Sequence, residues 1–589
     1  MKYPTLTELQ TSRQMVDVFE GYNHNLRIAD GEFYDMKNMT STHYPVLSPR
    51  GQRGLHVEPL DHPQGLIAKD TLCYVRGSKF VMGDYEVEMN LSTKEEDCPK
   101  QLISMGAYVI ILPDKKYINT EDTTDKGEIE ATFTTTQPVS FDLCTIDGAA
   151  YEAEAGSTEP ESPENSAYWI DTSSTPHSLK CWSEASGMWV TVGTTYIKIS
   201  STNIGSAFKQ YDGVTISGLK GVDLIDENDE VVTDNDIAAL DGSFVVWAVD
   251  KDYIVVIGML DTTRTLKNTV TVKRAMPDMD FVIESENRLW GCKYDAGINE
   301  IYASKLGDFK NWSCFMGVST DSYAASVGTD GQFTGAITHL GYPIFFKETC
   351  MHKVYGNYPS NYQIQTTACR GVQKGCERSL AIVNEILYYK ARNAVCAYDG
   401  SLPTEMSTQL GDIAYSDAVG GACGNKYYIS MKDAADVYHL FVYDSSKGLW
   451  HKEDNTQVDA FCACRGEMYY IDHADGNIKT MLGGGTLETL PVEWMAETGV
   501  LTTTMPDKKY ISRMTVRMSL DLGTRVYIYA EYDSSGAWEH LFTMTGNNLR
   551  SFAVPIRPKR CDHLRLRFMG EGDAKIYSIT KTIEQGSDY

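Results

Sequence analysis

The chain has 589 residues with 53 basic side chains against 80 acidic ones, a formal net charge of −27. A surface this acidic repels nucleic acid and anionic membranes, which excludes a protein that grips DNA through its phosphates. No window approaches the roughly 18 to 20 apolar residues that cross a bilayer, and Met1-Lys2-Tyr3-Pro4 opens no apolar leader, so we expect a protein made in a cytoplasm with no membrane span.

Residues 1–60 read as an extended N-terminal arm, because turn-forming residues recur every few positions, at Gly21-Tyr22-Asn23, Asp30-Gly31, Asn38 and Tyr44-Pro45. Residues 61–122 carry one phrase twice: an apolar strand, a tight turn, then a second strand opening on bulky residues, at Cys73-Tyr74 and at Val109 to Ile111. Residues 123–278 interrupt the phrase. They begin Thr-rich and acidic, hold the exposed loop Gly156 to Glu164, and show strand patterns on both sides of it, which predicts two small β-modules projecting from one loop.

Residues 279–485 repeat the phrase five times, at Leu289-Trp290, Phe345-Phe346, Tyr388-Tyr389, Tyr427-Tyr428 and Tyr469-Tyr470. From Phe346 the second members recur after 43, 39 and 42 residues, the period of a four-stranded propeller blade. With the two upstream copies, this predicts an all-β, seven-bladed β-propeller interrupted once between blades 2 and 3. An open sheet edge would remain where the ends meet, and Asp17 to Phe19 are expected to supply the missing outer strand of the last blade. Residues 486–589 lose the period and alternate in strands with hairpin turns at Asp521 to Gly523 and Ser534 to Gly536, which predicts a jelly-roll-like β-sandwich. Its basic cluster Arg557, Lys559, Arg560, Arg565 and Arg567 is the densest on an acidic chain and is the candidate interface, for an acidic neighbour.

Motifs that would carry chemistry are missing. The 14 cysteines include no C-x-x-C, and Cys462-Ala463-Cys464 reads as a pair of buried thiols on one strand face. The histidines show no H-E-x-x-H spacing, so we expect neither metal nor cofactor and no catalytic residue. Four segments end a polar turn in Trp, at Trp189, Trp312, Trp450 and Trp538, yet none keeps the S-x-D-x-G-x-x-W order of the sialidase Asp-box. They read as hairpins whose Trp covers the turn, with Asp444 and Asp533 accepting backbone N–H bonds. Gly420-Gly421-Ala422-Cys423-Gly424 lies inside the repeat and reads as a blade feature.

Two terminal signatures resemble tail proteins of tailed bacteriophages. The run Phe19-Glu20-Gly21-Tyr22-Asn23, Asp30-Gly31-Glu32, Asn38-Met39, Tyr44-Pro45 and Arg50-Gly51 is similar to the start of propeller-containing nozzle or "stabilisation" proteins of short-tailed phages. At the other end, Ile556 to His563, Gly570-Glu571-Gly572 and Ile583 to Asp588 resemble endings of phage structural proteins. The resemblance implies a non-enzymatic virion component made in the host cytoplasm: a homo-oligomeric ring, often sixfold, in a tail nozzle or hub. Other tail or head–tail connector proteins, and tail fibres, would be its neighbours, and genomic DNA would pass without sequence-specific binding. The acidic balance then keeps the polyanion from sticking to the wall. Two other readings stay open, a receptor- or glycan-binding adhesin using the insertion or C-terminal module, and a propeller hydrolase of envelope polysaccharide.

Overall fold

In the computed structural model, which describes residues 11–57, 63–501, 509–556 and 559–585, strands make up nearly all regular structure, and the one α-helix among those residues is the short Asn235–Ala238. Seven sheets form a propeller. Their innermost strands are Pro63–Ala68, Gln101–Met105, Phe281–Ser285, Gly335–His339, Ala381–Val383, Ser416–Cys423 and Val458–Cys464. Consecutive strands of a blade pair antiparallel, neighbouring blades touch in order, and Val458–Cys464 returns against Pro63–Ala68 to close the ring.

The repeated bulky doublet has a geometric cause. Adjacent residues of a strand point to opposite faces, so each doublet divides itself between the two seams flanking its blade. Leu289 packs with Ile110 of blade 2, while Trp290 packs with Phe345 of blade 4. Phe346 meets Tyr389 at 5.1 Å, and Tyr388 stacks on Tyr427 at 5.3 Å. Tyr428 joins Tyr470 between blades 6 and 7, and Tyr469 packs against the seam that holds Tyr74. Burying one such side chain is worth about 1.5–3 kcal/mol, so each doublet contributes to the cohesion of both its seams.

Turn chemistry follows the twist. In blades 3, 4, 5 and 7 the first two strands are joined by two-residue turns with both residues at positive φ: Glu286-Asn287, Leu340-Gly341, Asn384-Glu385 and Arg465-Gly466. Such turns match the right-handed twist of the flanking strands. The glycine run of blade 6 serves close approach: a Cβ on Gly420 would lie 2.6 Å from the Ser379 carbonyl oxygen, and one on Gly421 would lie 2.4 Å from Phe461 Cβ.

The strand that closes the ring is Gly54–Val57, not Asp17 to Phe19. It pairs with Ile478–Thr480 on one side and with Thr486–Leu487 on the other, so the latter pair, allotted by sequence to the C-terminal module, is the outermost strand of blade 7. Gly54 suits the place because a Cβ there would sit 1.7 Å from the Gly484 carbonyl oxygen. Phe19 is drawn elsewhere, into the core beneath the C-terminal sheets.

That C-terminal unit is a sandwich of a four-stranded and a six-stranded sheet, and the N-terminal arm belongs to both. Thr11–Val16 pairs with Ala574–Gln585 in the first sheet, and Glu32–Lys37 pairs with Glu493–Thr498 in the second. Phe33, Met36 and Leu47 are buried in one core with Phe568, Ile576 and, across the junction, Trp450 of blade 6.

The insertion begins after Lys126–Glu128, which is still the outer strand of blade 2. Its strands do not divide into an early and a late module. Ala131–Thr134 pairs with Thr271–Arg274, and Val139–Cys144 lies between Tyr196–Ser200 and Arg264–Leu266, so Phe141, Ile197, Ile216 and Val272 share one core. The separate unit is a four-stranded sheet running from Ala153–Gly156 to Met188–Thr191. A buried polar cluster ties the insertion to blade 3: Arg274 pairs with Asp212 at 2.6 Å, and Asn311 donates to Asp212 at 3.0 Å while its carbonyl accepts from Gly213 N–H.

Candidate functional site

The nominated arginines lead to the outer face of the six-stranded sheet. Alternation along Leu564–Glu571 sends Leu566 and Phe568 into the core and Arg565, Arg567 and Met569 outward. Along Arg525–Tyr532 it sends Tyr527, Tyr529 and Glu531 to the same outer face, and Glu493–Thr498 adds Met495 and Glu497. Arg565 gives Nε to Glu531 at 2.8 Å and Nη1 to Glu497 at 2.8 Å. Arg567 gives Nε and Nη2 to the other oxygen of Glu497, at 3.0 and 2.6 Å. Glu497 and Glu531 are themselves almost fully buried, 6 % and 2 % exposed, so the guanidinium groups cover carboxylates that would otherwise be stranded in a dry layer. The Arg567 guanidinium also lies 3.9 Å from the Trp538 ring centre.

The five basic residues thus do not form one free positive patch. Lys559 pairs with Glu539 and stands 4.7 Å over the Tyr532 ring, Arg565 and Arg567 are held by Glu497 and Glu531, Arg560 lies in the segment leading to them, and Arg557 lies outside the described residues. Sequence spacing brings the arginines together but gives no sign of Glu497, more than sixty positions away, because strand order in the sandwich decides that meeting. Trp538 was expected to cover its turn. It stands on the open sheet face instead, whereas Trp450 is buried and donates its indole N–H to the Met406 carbonyl at 2.7 Å.

Of the two turn aspartates, Asp444 accepts from Ser446 N–H at 3.0 Å within its own turn and from the Ser41 hydroxyl of the arm at 2.6 Å. Asp533 accepts from the backbone of Asp562 and His563 on a different strand connection. Where the arm crosses to blade 7, Arg53 pairs with Glu453 at 2.7 Å and Asp454 at 2.9 Å and lies over the Tyr470 ring. Burial alone would raise the Asp454 carboxyl, but Arg53, Thr456 and Arg50 hold it below the usual range.

The propeller tunnel is a cavity of about 430 Å³ into which every blade reaches, for example through Leu66, Gln101, Phe281 and Phe461. Gln101 bridges blades 2 and 3, donating to the Val282 carbonyl at 2.6 Å and accepting from its N–H at 3.3 Å. Of the three carboxylates that line the tunnel, Asp280 pairs with Lys293 and Asp459 with His473, and Glu377 is the third. All 14 cysteines are free thiols and none is exposed; burial pushes the Cys73 thiol up to about 11 and Cys462 to about 12, so neither is a ready nucleophile. Among the described residues no group of three or more His, Cys, Asp or Glu is placed to hold a metal, and no helix is long and apolar enough to cross a membrane.

The fold defines an all-β propeller protein with an insertion and a C-terminal sandwich. No family model matches the chain, and no curated protein matches it. Among solved structures it is similar to the WD40 domain of a coronin from Toxoplasma gondii, at 10% identity over 63% of this chain and 78% of that one, TM-score 0.24. It is also similar to PorZ, a surface component of the type-IX secretion system of Porphyromonas gingivalis, at 8% identity over 88% and 82%, TM-score 0.24. An exo-β-1,3-galactanase from Phanerochaete chrysosporium shares 8% identity over 51% and 94%, TM-score 0.20. Likenesses this remote carry no argument about activity.

Proposed function

We propose that the chain is a non-enzymatic structural subunit of a bacteriophage tail. It assembles into a homo-oligomeric ring, as a nozzle or hub, that lines or supports the DNA-ejection channel and docks neighbouring tail proteins. The observation that carries this reading is the path of the N-terminal arm. Residues 19–51, whose motifs resemble phage tail proteins, are the stretch that stitches sandwich to propeller: Phe19 and Phe33 fill the shared core, Ser41 bonds Asp444 of blade 6, and Arg50 reaches Glu453 and Asp454. The residues that carry the resemblance weld two bodies into one, as a subunit under load requires. A tunnel of about 430 Å³ suits a small ligand and not a duplex, so DNA would run through the ring of subunits, past a wall kept slippery by a net charge of −27 per copy. Native mass spectrometry and negative-stain microscopy of the purified chain test this: closed rings of one stoichiometry are expected.

A further inference from the structure

We propose that the outer face of the six-stranded sheet is a binding platform for a neutral glycan. Five rings stand on it, one of them Tyr34, 5.8 Å from the Arg565 guanidinium. His540 sits 5.3 Å from Tyr529 and 6.3 Å from Tyr527, and Trp538 lies beside them under Arg567. Among the described residues, the Tyr527 and Tyr529 hydroxyls, the Trp538 indole N–H and the Nη1 edge of Arg567 have no hydrogen-bond partner, although the rest of Arg567 is fixed on Glu497. The face therefore offers flat apolar surfaces with polar tips available between them, and guanidinium groups already locked in orientation.

That combination fits a sugar. A pyranose has a C–H face that lies on an aromatic ring and a rim of hydroxyls, each able to donate and accept. Charge decides which sugar. Arg565 and Arg567 balance Glu497 and Glu531, and Arg525 stands opposite Glu571 in the register, so on a chain of net charge −27 this face carries no net positive charge to draw an anionic polymer. A protein partner fits less well, because the outward residues of the central strands include no Leu, Ile or Val and their only aliphatic anchors are Met495 and Met569. The face lies wholly within one chain, so the proposal does not depend on ring assembly.

The test is retention of the full-length protein on immobilised neutral oligosaccharides (gluco-, galacto- and N-acetylhexosamine series) beside sialylated and uronic acid controls. Binding to neutral members is expected, insensitive to salt, with Tyr529→Ala and Trp538→Ala each weakening it about tenfold or more. Tyr529→Phe and Trp538→Phe keep an aromatic ring, guard against a folding defect and should weaken binding less than the alanine variants do. Retention only on anionic sugars, no retention on any neutral member, or unchanged retention in both alanine variants overturns the proposal. So would alanine variants that change the oligomeric state without any glycan binding, since the face would then be a contact between copies.

Discussion

Arg53 helps to fix the strand that closes the ring. It leaves the arm one position before the closing strand, enters a buried site and, with Arg50, balances Glu453 and Asp454. Breaking a buried pair from one side leaves a stranded charge, so Arg53→Ala should destabilise by about 3 kcal/mol or more in urea unfolding. Buried histidines add a pH dependence of definite sign. Burial, then Lys426, holds His451 down to about 3, and burial, then Lys347, holds His352 down to about 4, so the native protein keeps both neutral. In the unfolded chain each titrates near 6.5. As pH falls below about 6.5 the unfolded state takes up protons that the native state refuses, and stability drops. Asp454 works in the same direction at lower pH: its depressed native pKa contributes stability above about 3.9 that is lost as pH falls further. We expect a melting temperature that is flat above about pH 6.5 and declines below it, with a shallower decline in His451→Gln; scanning calorimetry across pH reads this directly.

At the scale of elements, the doublets make a graded prediction. Tyr428 is 2 % exposed in the seam between blades 6 and 7, so Tyr428→Ala should cost about 3–5 kcal/mol, while Tyr428→Phe keeps the ring and should cost far less. Tyr469 only flanks its core, and Tyr469→Ala should cost less than Tyr428→Ala. Denaturant titrations of the three variants settle the order. This signal is also why the propeller was legible in the sequence: a strand that must fill two seams needs two bulky neighbours, and a local pattern repeated at one spacing records it. Long-range pairing leaves no such record. Nothing local in Gly54–Val57 separates it from Asp17 to Phe19 as a closing strand; Gly54 wins because only a glycine fits against the Gly484 carbonyl, a neighbour more than four hundred positions away in sequence. The insertion misleads for the same reason, since Val139–Cys144 finds its partners in Tyr196–Ser200 and Arg264–Leu266 across the supposed boundary. The candidate site was half legible: the arginines cluster in sequence, but their carboxylate partners and the rings around them come together only when the sandwich forms.

As a whole molecule the chain is a propeller and a sandwich tied by one arm, with the insertion anchored to blade 3 by Asp212, Arg274 and Asn311. The insertion leaves and rejoins the propeller through residues that lie together, Ile129 and Met276 sharing one core, so replacing residues 131–274 by a short Gly/Ser linker should leave a folded propeller and sandwich. A cooperative thermal melt and strand-rich circular dichroism of that variant are the expected outcome; loss of cooperative unfolding would show that the insertion helps to hold the ring closed. The proposed role in a tail rests on assembly. The most direct measurement is therefore the mass of the purified full-length protein under native conditions at micromolar concentration. A closed ring of defined copy number is expected, and a chain that remains monomeric across that range would contradict the proposed role.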